Sequence, residues 1–452
     1  MICPKCRAPV TPGVARCSCG AAFVRRPASP GAPLARPAPR PVVRRPETKA
    51  NVGLIVGVAS GVAVLFLIGG GVVVVGAFMR RPPAPAETQL GKYDGQRPTL
   101  AEAEAFAHTL DEQTAAGRLE SLDQSLDLEG LGNRIMSGIE VDQRYRDGFM
   151  RGLRTRALLA PQIVTALGAT GTYRLLRVHE VNGQHCALFR MQGEKGLNYH
   201  DLQLGKRKGQ VVITDIDVFL AGETIGSIVR RLYISGAAEA NHTIVDRLMG
   251  KERVLFNNLP KVQEMQRLGQ SGDAPGAMRI YAQLPAELQR EKYVLLVRVG
   301  AAMELPEAEY LRVLDETERH LQGDPALDLI SLDALILRKK YDQVDKALDR
   351  LNRRVEDPWL EVIRGNVHFD AGRYEPATEA FLKAVKGNKD FEVAWWALVN
   401  TSLKRKKYAD TARYLTELQT RFKADVSGVE EDEDYVEFVA SPDYKKWKRG
   451  IK

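Results

Sequence analysis

The chain lacks the short motifs that mark common catalytic and nucleotide-binding sites. There is no Gly-x-x-x-x-Gly-Lys phosphate loop, no His-Glu-x-x-His, no Gly-x-Ser-x-Gly and no Rossmann glycine fingerprint. With nothing to support a reaction, a non-enzymatic protein is the expectation. Cysteine is nearly missing from the body: of five, Cys3, Cys6, Cys17 and Cys19 precede residue 20, and Cys186 stands alone. A disulfide scaffold needs pairs spread through the fold, so the body is not built on disulfides. The formal net charge of +8 is that of a nucleic-acid binder until it is located. Residues 1–50 hold ten Lys and Arg against Glu47 alone, which is +9 and leaves −1 for residues 51–452. Aromatics are almost absent among those arginines, so the leader reads as a topology signal and not as a nucleic-acid arm.

What is present divides the chain into segments. Residues 1–24 form a cysteine module, CPKC followed by CSCG. Residues 25–50 are a Pro/Arg-rich linker with too few apolar side chains to pack. Residues 51–80 contain the uncharged run Gly53–Met79, longer than the ~20 residues that cross a bilayer, and are expected to be a transmembrane helix. Gly53, Gly57 and Gly61 share one face of that helix, where the backbone of a second copy could approach to form a homodimer. Residues 81–98 form a second linker.

Residues 99–235 read as an α+β domain. Helical periodicity runs through residues 99–166, with Thr99 and Glu102 spaced as a capping box. From Thr172 the period changes to that of strands: YRLLRVHEV, HCALFRMQ, LNYHDLQL and QVVITDIDVFL, separated by Asn182-Gly183, Gly193–Gly196 and Lys206–Gly209. Helices on a curved antiparallel sheet are the expected arrangement. If Leu204 pairs with Val211, His200 lies opposite Asp215 and near Asp217; a one-residue change at the turn, with Gly209 as a bulge, removes that meeting. Hydrated residues at a hairpin edge are the simpler reading. Cys186, next to His185, reads as a small core residue.

Residues 260–424 are helical and contain an internal repeat. Gly365, Gly372, Tyr374, Ala377, Phe381 and Ala384 recur 34 residues later as Val399, Lys406, Tyr408, Thr411, Leu415 and Leu418. Small residues would let paired helices approach, while Tyr374 and Tyr408 open second helices and fill the gap to the first. Tyr341, Val344, Leu348 and Leu351 fit a looser upstream copy. Trp395 and Trp396 read as repeat core. Residues 425–452, an acidic run followed by aromatics, read as a tail folding back to cap the last repeat.

Three resemblances follow from these residues. The first module resembles the zinc ribbons at the starts of bacterial membrane proteins, which implies structural Zn2+ on Cys3, Cys6, Cys17 and Cys19. Its second pair is Cys-x-Cys where the family has Cys-x-x-Cys. Residues 260–424 resemble tetratricopeptide repeats, which implies an all-α solenoid whose concave face takes a protein or peptide partner, near Asn366, Phe369, Asp370 and Asn400. The element order of residues 99–235 resembles, weakly, nuclear-transport-factor-like domains. Together they give a single-pass inner-membrane scaffold with its N-terminus cytoplasmic and its C-terminal domains extracytoplasmic, since ten basic residues precede the apolar run. The alternative is a transmembrane signalling protein whose ribbon contacts a cytoplasmic partner or nucleic acid.

Overall fold

The computed structural model describes residues 90, 93, 95–155, 159–193, 196–240, 251–322, 324 and 326–450. The cysteine module, the expected transmembrane helix and its glycine face fall outside those residues. Among the described residues, no helix is long and apolar enough to cross a membrane.

Helix α1 (Leu100–Ala115) starts at Thr99 with the expected reciprocal cap: Thr99 accepts from the Glu102 amide while the Glu102 carboxylate accepts from the Thr99 amide. Short helices follow: α2 (Glu120–Gln124), α3 (Leu128–Met136), α4 (Gln143–Thr155) and α5 (Ala160–Leu167). An antiparallel meander comes next, β1 (Thr172–Val181), β2 (Gln184–Gly193), β3 (Gly196–Arg207), β4 (Gln210–Val218) and the two-residue β5 (Glu223–Thr224), in spatial order 1-2-3-4-5. The turns Asn182-Gly183 and Lys208-Gly209 each place two consecutive residues at positive φ, the geometry whose twist matches a two-residue hairpin. Side chains alternate across the sheet. Phe189 and His200 face one side, where Phe189 stacks on Tyr173 at 4.9 Å; Arg190 and Tyr199 face the other.

Helix α6 (Ile225–Ala240) leads out of the sheet, and the described residues beyond it are helical: α7 (Lys251–Gln270), α8 (Ala274–Ala282), α9 (Ala286–Gln289), α10 (Lys292–Ala302), α11 (Glu307–His320), α12 (Leu327–Ile330), α13 (Leu332–Leu337), α14 (Tyr341–Val355), α15 (Trp359–Asp370), α16 (Tyr374–Gly387), α17 (Glu392–Lys404) and α18 (Tyr408–Phe422). The tail adds two 3-10 turns, then α19 (Val436–Ala440) and α20 (Pro442–Gly450). The fold is thus mostly helical, with one five-stranded antiparallel sheet and a C-terminal helical region. The turns before α14, α16 and α18 repeat one conformation, a left-handed residue at Lys339, Gly372 and Lys406. Between α15 and α16 the helices approach so closely that a Cβ on Gly365 would lie 2.3 Å from the Phe381 ring.

Sheet and helical array are not separate bodies joined by a tether. One apolar cluster runs from Ala103 through the sheet to Val367 in α15. At its centre the Asp357 carboxylate, fully buried, accepts from Arg190 at 2.8 Å and from the Tyr199 hydroxyl at 3.0 Å. It also accepts from the Trp359 amide, so the charge that docks the sheet also starts α15. Arg190 in turn lies over the rings of Trp359 and Phe391. Around this contact Arg177 donates to the carbonyls of Arg354 and Val355, and the Arg354 guanidinium covers Phe219 at 4.4 Å.

Two predictions follow from these features. Asp357→Ala strands a buried guanidinium and is expected to cost roughly 3–5 kcal/mol in denaturant unfolding, whereas Arg190→Met with Asp357→Leu recovers most of it. A near-silent Asp357→Ala would show that the pair is not what seats the array. Lys339→Gly relieves a left-handed side chain and should raise stability by up to about 1 kcal/mol; a lower melting temperature would contradict the strain argument.

Candidate functional site: the cleft at the end of the helical array

Two depressions compete for attention. The larger, about 820 Å³, is lined by Asp315, Glu318, Arg319, Asp328, Lys346 and Arg350 among others. Its acids are largely neutralised from within: Asp328 pairs with Arg350 at 2.6 Å and Asp315 with Arg338 at 2.8 Å. Glu318, Arg319 and Lys346 complete its charged lining, with both signs represented. The smaller cleft, about 420 Å³, lies where α15, α17 and the start of α18 face the tail. It is lined on one side by Phe369, Asn400, Leu403, Lys404 and Tyr408, and on the other by residues 433–438.

Each wall has a traceable origin. Phe369 occupies the last turn of α15 and packs edge-on against Tyr374, the first residue of α16, at 5.4 Å. Asn400 is in α17, and its Oδ1 is buried with no hydrogen-bond partner among the described residues. An unmet buried acceptor is costly to stability. Lys406 and Tyr408 follow the left-handed turn and both reach Glu437 of the tail, Lys406 Nζ at 2.9 Å and the Tyr408 hydroxyl at 2.7 Å. The contact raises the Tyr408 hydroxyl to about 12 and lowers the Glu437 carboxyl, through Lys406 first and then Tyr408.

The tail is held as firmly as a helix of the array. Phe438 is fully buried and its ring lies among those of Tyr408, Tyr435, Tyr444 and Trp447, at 5.3–6.4 Å. Trp447 donates to Thr416 of α18 at 2.9 Å, and Lys448 pairs with Glu430. The fold-back of the acidic and aromatic segment onto the last helix pair is therefore observed.

Of the four positions expected to form a groove, Phe369 and Asn400 meet in this cleft, while Asn366 and Asp370 do not line it. Trp396 is buried; Trp395 donates from its indole to the Lys389 carbonyl at 2.9 Å and packs near Tyr414. Cys186 is a buried free thiol that burial and the nearby carboxylates Asp201 and Asp217 push upward, so it is not poised as a nucleophile.

The reading of His200, Asp215 and Asp217 needs correcting. The hairpin closes at Lys208-Gly209, and Leu204 pairs with Ile213, not Val211. A bulge at Thr214 shifts the register again, leaving His200 opposite Val218 and Asp215 opposite Gln203. Neither residue is hydrated: His200, on β3, is 0% and Asp215, on β4, 2% exposed. Among the described residues, the His200 ring nitrogens meet the Tyr173 hydroxyl and the Asn198 side chain, at 3.3 and 3.4 Å. Asp215 accepts from the amides of Ile216 and Gly226, an anchor for the start of α6. The residues missed from sequence are Asp357, Arg190 and the half-buried pair His179–Asp201, whose nearest atoms are 2.9 Å apart. Among the described residues no group of His, Cys, Asp or Glu is arranged to hold a metal ion. No family model, curated protein or solved structure matches the chain.

Burial lowers the His200 imidazole from 6.5 to about 4. The unfolded chain therefore takes up this proton first, and the contribution of neutral His200, complete above pH 6.5, is lost as pH falls toward 4. Wild type is expected to lose up to roughly 3 kcal/mol more than His200→Gln between those limits in denaturant titrations. Parallel pH profiles would show that His200 is not the titrating group.

Proposed function

We propose that the chain is a non-enzymatic, membrane-tethered scaffold that takes an extended segment of a protein partner in the cleft between Phe369, Asn400 and the tail. The observation that carries this is the open cleft of about 420 Å³ at the end of the array, where the Phe369 ring, the Asn400 side chain and the Lys404 ammonium face the tail. The Asn400 amide would pair with a peptide group, an apolar side chain would cover Phe369, and a carboxylate would suit Lys404. The 34-residue recurrence and its resemblance to tetratricopeptide repeats support a peptide over a small molecule. The tether rests on residues 51–80 as a single transmembrane helix, with the basic leader in the cytoplasm and the array outside. Cys3, Cys6, Cys17 and Cys19 supply the thiolate donors that structural zinc requires, and zinc would staple the leader without opening a catalytic position.

Panning a random peptide library against the purified chain tests the cleft. Enriched peptides are expected to lose affinity at least tenfold on Asn400→Leu, while the melting temperature holds or rises because an unmet acceptor has been removed. If Asn400→Leu unfolds the chain, or leaves peptide affinity untouched, the cleft reading fails.

A further inference from the structure

The outer face of helix α4 is strongly basic. Arg144 and Arg151, seven residues apart, lie on one side of it, and Arg154 follows one turn later; all three are exposed. None makes an ion pair among the described residues. The single acid of the helix, Asp147, is exposed beside them, and its carboxylate accepts from Gln143 at 2.8 Å. The inner face is ordinary core: Tyr145 and Leu153 are buried, and Tyr145 donates to the Tyr233 carbonyl. Arg146 sits by Tyr233 and holds its hydroxyl down against the larger effect of burial, so it belongs to that inner side. The outer face thus presents three free guanidinium groups on a rigid support.

The position of this face is set by the chain's entry. A Cβ on Gly132 of α3 would lie 2.4 Å from the Met150 sulfur, so α4 packs directly on α3. Leu90, where the described residues begin, reaches the same spot on Gly226 as Leu131 of α3, with would-be contacts of 2.7 and 3.0 Å. Only residues 80–89 separate Leu90 from the apolar run, and ten residues span at most about 35 Å. The arginine face is therefore two packed helices from a short leash.

We propose that Arg144, Arg151 and Arg154 seat α4 on an anionic phospholipid surface, holding the α+β body against the membrane that anchors the chain. The inference rests on the membrane-tethered reading of residues 51–80. Guanidinium groups suit phosphate through paired donors, and each cation near an anionic surface adds roughly a factor of five in partitioning. Held within a leash of this length, the face meets the headgroups at high effective concentration.

The full chain, reconstituted in vesicles of phosphatidylcholine with or without 30% phosphatidylglycerol, tests it with a lipid carrying a photoactivatable headgroup. Adducts are expected within residues 143–155 only when phosphatidylglycerol is present, falling at least tenfold in the triple variant Arg144→Gln, Arg151→Gln, Arg154→Gln. An unchanged melting temperature in that variant confirms that the exposed substitutions leave the fold intact; a lowered one moves the comparison to the three single variants. Adducts in residues 51–80 with none in 143–155 overturn the proposal and leave the tether standing. No adducts in either segment overturn both. Adducts in 143–155 that are equal in both vesicles, or a triple variant that loses binding to a DNA duplex but keeps its lipid adducts, would also overturn it.

Discussion

A carboxylate taken wholly out of water costs several kcal/mol unless its surroundings replace the lost solvent, and Asp357 is such a carboxylate. Its two oxygens meet a guanidinium from β2, a phenol from β3 and the first free amide of α15. No rotation of the array about the sheet keeps all three. The same guanidinium lies over Trp359 and Phe391, so the contact passes from the sheet to the first helix of one pair and on to the turn before the next. Buried ion pairs of this kind rarely add much net stability over an apolar substitute; what they add is a single permitted arrangement. Here the arrangement settles how the helical array leaves the sheet, and hence where the cleft between α15, α17 and the tail is carried.

Arg230 solves the same problem differently. It is 2% exposed and its guanidinium donates to the carbonyls of Ile135 and Ser137 at 2.5 and 2.9 Å. Those carbonyls close the C-terminal end of α3, where the helix dipole is negative and the last acceptors have no partners of their own. Together Asp357 and Arg230 fix α3 and α15, the helices nearest the arginine face and the cleft respectively.

Much of this was legible in the sequence, and the reason is periodicity. Four strand-like runs with Asn182-Gly183 and Lys208-Gly209 between them define a meander, because only a positive-φ pair closes a two-residue turn without splaying the strands. The capping box at Thr99 and the tyrosines opening α14, α16 and α18 were equally readable, since each is a local signal. Register was not. Gly209 is used as the second left-handed turn residue, and the bulge falls at Thr214, whose backbone needs no glycine and leaves no mark in composition. Burial of charge was not legible either. Asp357 before Pro358 reads as an ordinary helix start, and that role is real, but the guanidinium that meets it lies 167 residues earlier. Long-range pairing of this kind has no period to detect.

The cleft illustrates how a legible expectation is narrowed by contacts that sequence cannot show. The tail forms one side of the cleft at the end of the helical array. Glu437 is held by Lys406 and Tyr408, and Phe438 fills the aromatic space beside them. Both groups that could have bound a carboxylate at the start of α18 are thereby spent on the chain itself. What stays open is about 420 Å³ around Phe369, Asn400 and Lys404. That is room for a few side chains and too little for an amphipathic helix lying along the array.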